Sequence, residues 1–267
     1  MGPPLRSSWR VSSRISKPGT SGPSWDSCLV AAEPVWLIRP AGLVPYAVAN
    51  ELMHDLAARR LSGEIPDALI LLEHPPVYTA GRRSDPTHVV WPEDIMAAAG
   101  AEFHKVDRGG SVTFHGPGQL VGYPIVDLGR KPDVVGYVRG IEEMVIRACA
   151  GAGIDGLGRN PVNSGVWAGD RKVCAIGVRV MRARVTLHGF ALNCTTDLSW
   201  YDAIVPCGLA DHAVTSLSLL AARSVTVDEM APLVAHCFED VFERTLTSTQ
   251  ALPEPIPALA NIGPRTA

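Results

Sequence analysis

Apolar and polar positions recur along this chain with two periods, and between them lie stretches with none. Val35-Trp36-Leu37-Ile38 is an apolar run that reads as a first strand. Tyr46, Ala49, Met53, Leu56 and Ala57 then recur at helical spacing until Gly63 stops the pattern. Ala68 to Leu72 is a short unbroken apolar run, as in a buried strand. His74-Pro75-Pro76 ends it, and Val77-Tyr78-Thr79 starts another extended piece. Ser111 to Phe114 reads as a strand between tight loops, and Gln119 to Leu128 as the next one. Asp133 stands where a helix N-cap belongs, followed by an apolar stripe of Val134, Val138, Ile141, Val145 and Ala148, which Gly151 closes. Glu142 and Glu143 lie off that stripe and read as a solvated face. Val166 to Ala168, a Gly169-Asp170 turn and Arg171 to Met181 predict a hairpin, with a third strand over Leu187 to Cys194. Thr226 with Glu229 makes a capping-box pattern for a last helix with Val234, Cys237, Phe238 and Val241 as its stripe. Pro232 falls inside that pattern, so this helix starts later or is kinked.

Strands dominate the middle and helices flank them. The expectation is an α+β fold: one domain, with a mainly antiparallel or mixed sheet flanked by helices. The domain is expected over 34–247. Residues 1–33 are rich in Ser, Pro, Gly and Arg and read as a disordered extension or a start codon placed too early. Residues 248–267 are Pro-rich and read as a disordered tail.

Composition narrows the partners. The chain has 267 residues and a net charge of −3, which gives no sign of nucleic acid as main partner. No apolar run reaches the roughly 18–20 residues that span a membrane. The six cysteines form no CxxC pair and read as reduced cytosolic thiols, so the expected location is cytoplasmic. No closely spaced Cys/His set suggests zinc or another metal. Of the cysteines, Cys149 and Cys237 sit on or beside helix stripes and read as core. Cys174 and Cys194 lie on strands and could face either way. Cys207, between Pro206 and Gly208 in an irregular stretch, is the one that chemistry alone favours as reactive. Lys172, beside a turn, reads by itself as a solvated lysine, and His74 as a satisfied strand-end histidine.

The densest stretch is Arg108-Gly109-Gly110-Ser111-Val112-Thr113-Phe114-His115-Gly116-Pro117-Gly118-Gln119. Its glycines suggest positive φ or close approach to a ligand, though a Gly-rich hairpin with a surface Arg and His fits as well. Followed by Leu120-Val121-Gly122-Tyr123-Pro124, this segment resembles the signature of the lipoyl (octanoyl) transferases, in the lipoate/biotin protein ligase superfamily. Glu73 to Thr79 is similar to a second motif of that family. The match covers roughly Val35 to Leu246. Cys174, where the pattern tolerates small residues, is a departure that leaves the assignment standing.

The resemblance implies a lipoate/biotin ligase-like fold and an acyltransferase that needs no cofactor. It implies that Cys207 is the nucleophile and that Lys172 lowers its pKa and handles protons. It implies acyl binding by Arg108, Gly109, Gly110, Ser111, Val112, Thr113, Phe114 and His115, by Ala175, Ile176 and Gly177, and by Gly189, Phe190 and Ala191. His115 and His188 then rank as positioning or structural residues. The implied partners are octanoyl-acyl carrier protein as donor and, as acceptor, lipoyl domains of 2-oxoacid dehydrogenase complexes or the glycine cleavage H protein. Arg82, Arg83, Arg171, Arg179, Arg182 and Arg184 are candidates for a basic patch that meets an acidic carrier. Two rivals stay open: an ATP-dependent lipoate or biotin ligase, and a non-catalytic protein that holds an acyl chain or its carrier.

Overall fold

Among the described residues ten strands pair into two sheets, and helices cover both faces of the larger one. A computed structural model describes residues 34–205 and 213–248. The expected N-terminal extension, the C-terminal tail beyond Ser248 and the segment 206–212 with Cys207 lie outside the described residues. The elements are β1 (Val35–Ile38), α1 (Tyr46–Ser62), β2 (Ala68–Leu72), β3 (Val77–Ala80), α2 (Glu93–Ala98), β4 (Glu102–Lys105), β5 (Val112–His115) and β6 (Gln119–Ile125), then α3 (Val134–Gly151), β7 (Gly165–Ala168), β8 (Arg171–Met181), β9 (Val185–Asn193), α4 (Leu217–Ala221), α5 (Val227–Phe242) and β10 (Leu246–Ser248). The fold is α+β, as expected.

The larger sheet runs β10-β1-β2-β6-β9-β8-β7. β1 is parallel to both of its neighbours, and the other pairs are antiparallel. A small sheet, β4-β3-β5, carries the central Gly-rich stretch. β2, β6 and β9 are buried along their whole length, which is why β2 reads as an unbroken apolar run. Alternate side chains go to opposite cores. Leu69, Leu71, Leu120 and Phe190 pack with α3 and α5. Ile70, Val121 and Leu187 pack with Leu52, Met53 and Leu56 of α1.

The helix ends follow the local chemistry. Gly63, at φ 80°, closes α1 in the left-handed region that favours glycine. The Asp133 carboxylate accepts from the Gly136 N–H at 2.8 Å. Thr226 accepts from the Glu229 N–H at 3.2 Å, but the Glu229 carboxylate turns to Arg223 at 2.7 Å instead of closing a reciprocal box. α5 starts at Val227 with Pro232 inside it. Glu142 departs from the expected solvated face. It is fully buried because α3 packs under the loop after it as well as on the sheet. Arg139 and Arg159 donate to its carboxylate at 2.7 and 3.0 Å, and the Gly165 N–H at 3.1 Å. Among the described residues no helix is long and apolar enough to cross a membrane.

Candidate active site

Two glycines fix where the Gly-rich stretch meets the large sheet. Gly177 and Gly189 face each other in the β8–β9 register. A Cβ on Gly177 would stand 2.9 Å from the Gly109 carbonyl oxygen, and one on Gly189 2.2 Å from that of Gly122. Without side chains there, the backbone of Gly109 lies against β8, and its N–H donates to the Val178 carbonyl at 3.0 Å. Arg108 then ties the loop to the small sheet. Its guanidinium donates to the Ser111 carbonyl at 2.8 Å and to the Thr79 carbonyl and hydroxyl at 2.6 and 2.8 Å.

Between this loop with β5 on one side and β8–β9 on the other runs a narrow cavity of about 50 Å³. Ala175, Ile176, Gly177, Gly189, Phe190 and Ala191 form one wall. Arg108, Gly110, Ser111, Val112, Thr113 and His115 form the other. The expected acyl-binding residues therefore converge, with two exceptions. Gly109 contributes its backbone bond to β8 rather than lining. Strand alternation turns Phe114 away from Thr113 and His115, so that it stacks on Trp200 with ring centroids 5.4 Å apart. Tyr46, Thr79, Tyr123 and His188 also line the cavity.

Beside the Arg108 guanidinium, the histidines and tyrosines of the site are held in neutral form. His74, buried behind it, bonds the Val44 carbonyl through Nδ1 at 2.6 Å and the Tyr123 hydroxyl through Nε2 at 2.9 Å. Nδ1 must donate to a carbonyl, so Nε2 accepts from the phenol. Burial pulls His74 down to about 4. His115 is held well below the usual histidine value by burial, and then by His74 and Arg108. Its Nδ1 meets Gln119 Oε1 at 2.8 Å and its Nε2 the Thr79 hydroxyl at 3.2 Å. Burial pushes the Tyr46 phenol up to about 12 and Tyr123 well above its ordinary value. His188 stands 2.9 Å from Asp107 yet is lowered, by burial first and then by Arg108, His54 and Arg179. Arg179 pairs with the same carboxylate, so Asp107 does not reverse the shift. His188 holds φ 58° in mid-strand, a conformation of roughly 1–2 kcal/mol strain for a residue with a Cβ.

Lys172 is not the solvated lysine that a turn suggests. It is buried, at 6% exposure. Nζ donates to Asn163 Oδ1 at 2.5 Å, lies 3.5 Å from the Ser164 carbonyl and sits 4.7 Å from the Trp167 ring centroid. The turn-rich stretch 160–165 is thus a cradle for the ammonium, with Gly165 anchored to Glu142. The Lys172 backbone meets the chain that resumes after the segment 206–212. Its N–H donates to the Ala213 carbonyl and its carbonyl accepts from the Thr215 N–H, both at 2.9 Å. Before that segment, the Val205 N–H donates to the His88 carbonyl at 2.8 Å.

Cys149, Cys174 and Cys194 are buried. Burial pushes the Cys149 thiol up to about 12 and raises the other two well above the ordinary range, the environment of an inert thiol. Of the candidate basic residues, Arg184 is bidentate on Asp127 at 2.6–2.9 Å and Arg179 pairs with Asp107. Arg82 and Arg83 stay exposed beside the Arg108 loop, where their N–H groups donate to the carbonyls of Arg108 and Gly110. Sequence reasoning missed Tyr46, Thr79 and Tyr123. Tyr46 sits on the apolar stripe of α1, and the other two lie inside buried strands, so each reads as packing. The one available signal is a hydroxyl inside a buried pattern, which finds a partner at Thr79 and Tyr123 and none among the described residues at Tyr46.

A family model described as the lipoyl protein ligase A/B catalytic domain matches residues 45–239. The octanoyltransferase of Rubrobacter xylanophilus is 48% identical over 204 residues, covering 76% of this chain and 91% of that protein. Among solved structures, lipoate-protein ligase A bound with ATP superposes with a TM-score of 0.69 at 17% identity, over 85% of this chain and 93% of that one. A bi-partite lipoate protein ligase of Thermoplasma acidophilum, described with its E2 lipoyl domain, gives 0.66 at 17% identity, over 86% and 91%.

Proposed function

The chain belongs to the lipoyl protein ligase A/B catalytic domain family and, within it, to the octanoyltransferases, enzymes of octanoyl transfer in lipoate biosynthesis, and from that premise we propose how it moves its acyl group. The donor is the thioester of octanoyl-acyl carrier protein. Lys172, as the neutral amine, takes the Cys207 proton and becomes the ammonium, and the thiolate attacks the thioester carbon. The carrier thiol leaves with a proton, and an octanoyl-Cys207 thioester remains. The amine of an acceptor lysine on a lipoyl domain then attacks that thioester. An amide forms, the excess amine proton is lost, and the Cys207 sulfur is released. A thioester gives way to an amide, so no ATP is consumed.

The observation that carries this reading is the placement of Lys172. It is buried in a polar cradle and hydrogen-bonded through its backbone to Ala213 and Thr215, on the strand of the narrow cavity's wall. A buried ammonium beside a thiol favours the thiolate, and a lysine in such a site can itself exchange the proton. The small residues of β8 and β9 leave room for an alkyl chain beside Arg108 and its loop. The lipoyl domain of a 2-oxoacid dehydrogenase or the glycine cleavage H protein is the acceptor class. The catalytic unit spans 34–247 and works in the cytoplasm with reduced thiols.

Intact-protein mass after mixing with octanoyl-acyl carrier protein, without ATP, tests this. Wild type should gain one octanoyl group that hydroxylamine removes, and Cys207→Ser should gain none. Lys172→Met should slow adduct formation by about 10²–10⁴-fold, the range for a lost proton-transfer group. Transfer that proceeds only with free acid and ATP would move the chain to the ligase chemistry of its structural neighbours.

A further inference from the structure

The loop that cradles Lys172 is fastened near both of its ends to one buried carboxylate. It runs from Gly158 to Trp167, whose backbones exchange two hydrogen bonds of 2.9 Å and close its neck. Inside the neck, Arg159 Nε donates to Glu142 Oε2 at 3.0 Å, and the Gly165 N–H donates to Glu142 Oε1 at 3.1 Å. Arg139, one turn back on α3, donates to Oε2 at 2.7 Å. Asn163 Oδ1 and the Ser164 carbonyl, which meet Lys172 Nζ, lie between the two fastenings. The outer part of the loop has little packing of its own. Pro161, Val162 and Ser164 are exposed, Val162 to 46%. At Gly165 the chain passes so close to Lys172 that a Cβ would stand 3.3 Å from Cε.

A carboxylate is an unfavourable occupant for this position. Its helix neighbours Ile141, Met144, Val145 and Cys149 are buried in the apolar core. An ion withdrawn from water is tolerated only when its oxygens are well bonded. Glu143, next in sequence, keeps the ordinary arrangement, a part-exposed pair with Arg147 at 2.9 Å. Glu142 differs in being fully buried and in taking bonds from both ends of one loop. We infer that Glu142 is a positioning residue for Lys172: its carboxylate pins the loop and so holds Asn163 Oδ1 and the Ser164 carbonyl on Nζ. The inference rests on the reading of Lys172 given above. Glu142 touches no reacting atom and acts through the loop that it holds.

The discriminating variant is Glu142→Gln. It keeps the shape, but its one oxygen cannot accept from both guanidiniums and from Gly165, and its NH2 group is left facing a donor. Two readouts are taken on the full chain, well below the melting temperature of each variant. The first is kcat and KM for octanoyl-acyl carrier protein with a lipoyl domain as acceptor. The second is the rate at which acetic anhydride acetylates Lys172 relative to the exposed Lys105, followed by peptide mass. The chain carries four lysines, so each labelled peptide is assigned directly. Expected for Glu142→Gln is a kcat about 10- to 100-fold lower at nearly unchanged KM, the scale of a displacement of about 1 Å at a reacting group. Labelling of Lys172 relative to Lys105 should rise at least about tenfold, as the loop opens without the rest of the fold. A fall in thermal stability alone, with wild-type kcat and labelling, overturns the inference and leaves Glu142 a structural ion. A loss of kcat with unchanged labelling, a gain in labelling with unchanged kcat, or a loss that falls on KM overturns it as well. If Glu142→Gln does not fold, Arg159→Gln removes one fastening and leaves Glu142 in place. The same two shifts are then expected at smaller size, and their absence counts equally against the pin. Lys172→Met, run alongside, keeps the two ideas apart. If that variant retains wild-type kcat, the reading of Lys172 itself fails. If it is slow while Glu142→Gln behaves as wild type, the pin alone fails.

Discussion

The two walls of the cavity are held in place by different means. The β8–β9 wall is fixed by backbone register. Gly177 faces Gly189, Ala175 faces Ala191, and the carbonyl oxygens of Gly109 and Gly122 and the ring of Pro124 close in where side chains are missing. The Arg108–Ser111 wall has no ladder of its own. It is held by the guanidinium of Arg108 on the Thr79 and Ser111 carbonyls and by single backbone bonds to its neighbours. One wall is held by the ladder of the sheet, and the other by one guanidinium and isolated backbone bonds. Damage to the first should therefore show as lost stability, and damage to the second as lost activity in a folded protein.

The largest effect is expected at Gly189. In Gly189→Ala the new Cβ would meet the Gly122 carbonyl oxygen at 2.2 Å and Pro124 Cδ at 2.6 Å. Both neighbours are backbone or ring and cannot step aside. Overpacking of this kind costs about 3 kcal/mol or more, a fall in Tm of roughly 6–12 °C for a chain of this size. Gly110→Ala in the other wall is the control. Gly110 has φ 87° but its Cβ would touch only Arg108 Nη1, at 3.4 Å, so the penalty is the left-handed strain of about 1–2 kcal/mol. Thermal melts that rank Gly110→Ala as the more damaging would break the comparison.

Arg108→Lys is expected next. An ammonium cannot span Thr79 and Ser111 as the planar fork does, and each lost charge-assisted bond is worth about 1.5–3 kcal/mol. Octanoyl transfer should fall at least about tenfold, with Tm lowered less than in Gly189→Ala. A variant with wild-type rate would show that the loop holds its shape without the fork.

This contrast also explains which parts of the site are legible in the sequence. Strand register and glycine placement are local, so Ala175–Gly177, Gly189–Ala191 and most of Arg108–His115 can be assigned to one site from the sequence once their motifs are matched to the family they resemble. Contacts that cross elements cannot. The burial of Lys172 depends on Asn163 and Ser164, which reach it by folding a loop back over the β7–β8 hairpin. The burial of Glu142 depends on the same loop packing on α3. A single helical stripe is silent about a second neighbour. Tyr46, Thr79 and Tyr123 carry hydroxyls inside patterns whose period already accounts for them as core. Cys207, the proposed nucleophile, lies outside the described residues, so its support comes from its Pro-Cys-Gly motif and from the burial of Lys172.

The smallest predicted effect belongs to the neutral histidines in and behind the cavity wall. Burial lowers His74 to about 4, so between that value and its unfolded value of about 6.5 the unfolded chain binds a proton that the folded chain refuses. Stability is then complete above about pH 6.5 and is lost as the pH falls toward 4. From pH 6.5 to 5 the loss from this one group is about 2 kcal/mol. His115 and His188 are lowered in the same direction and add to the slope. Urea unfolding at pH 5, 6, 7 and 8 should show that decline in wild type. In His74→Gln, which can still donate to the Val44 carbonyl and accept from Tyr123, the decline should be shallower by roughly that amount. An unchanged slope in the variant would mean that His74 binds its proton in the folded chain nearly as readily as in the unfolded one. The lining would then carry charge at mildly acidic pH, and the loop wall, next to the Arg108 guanidinium, would be the first part of the cavity to feel it.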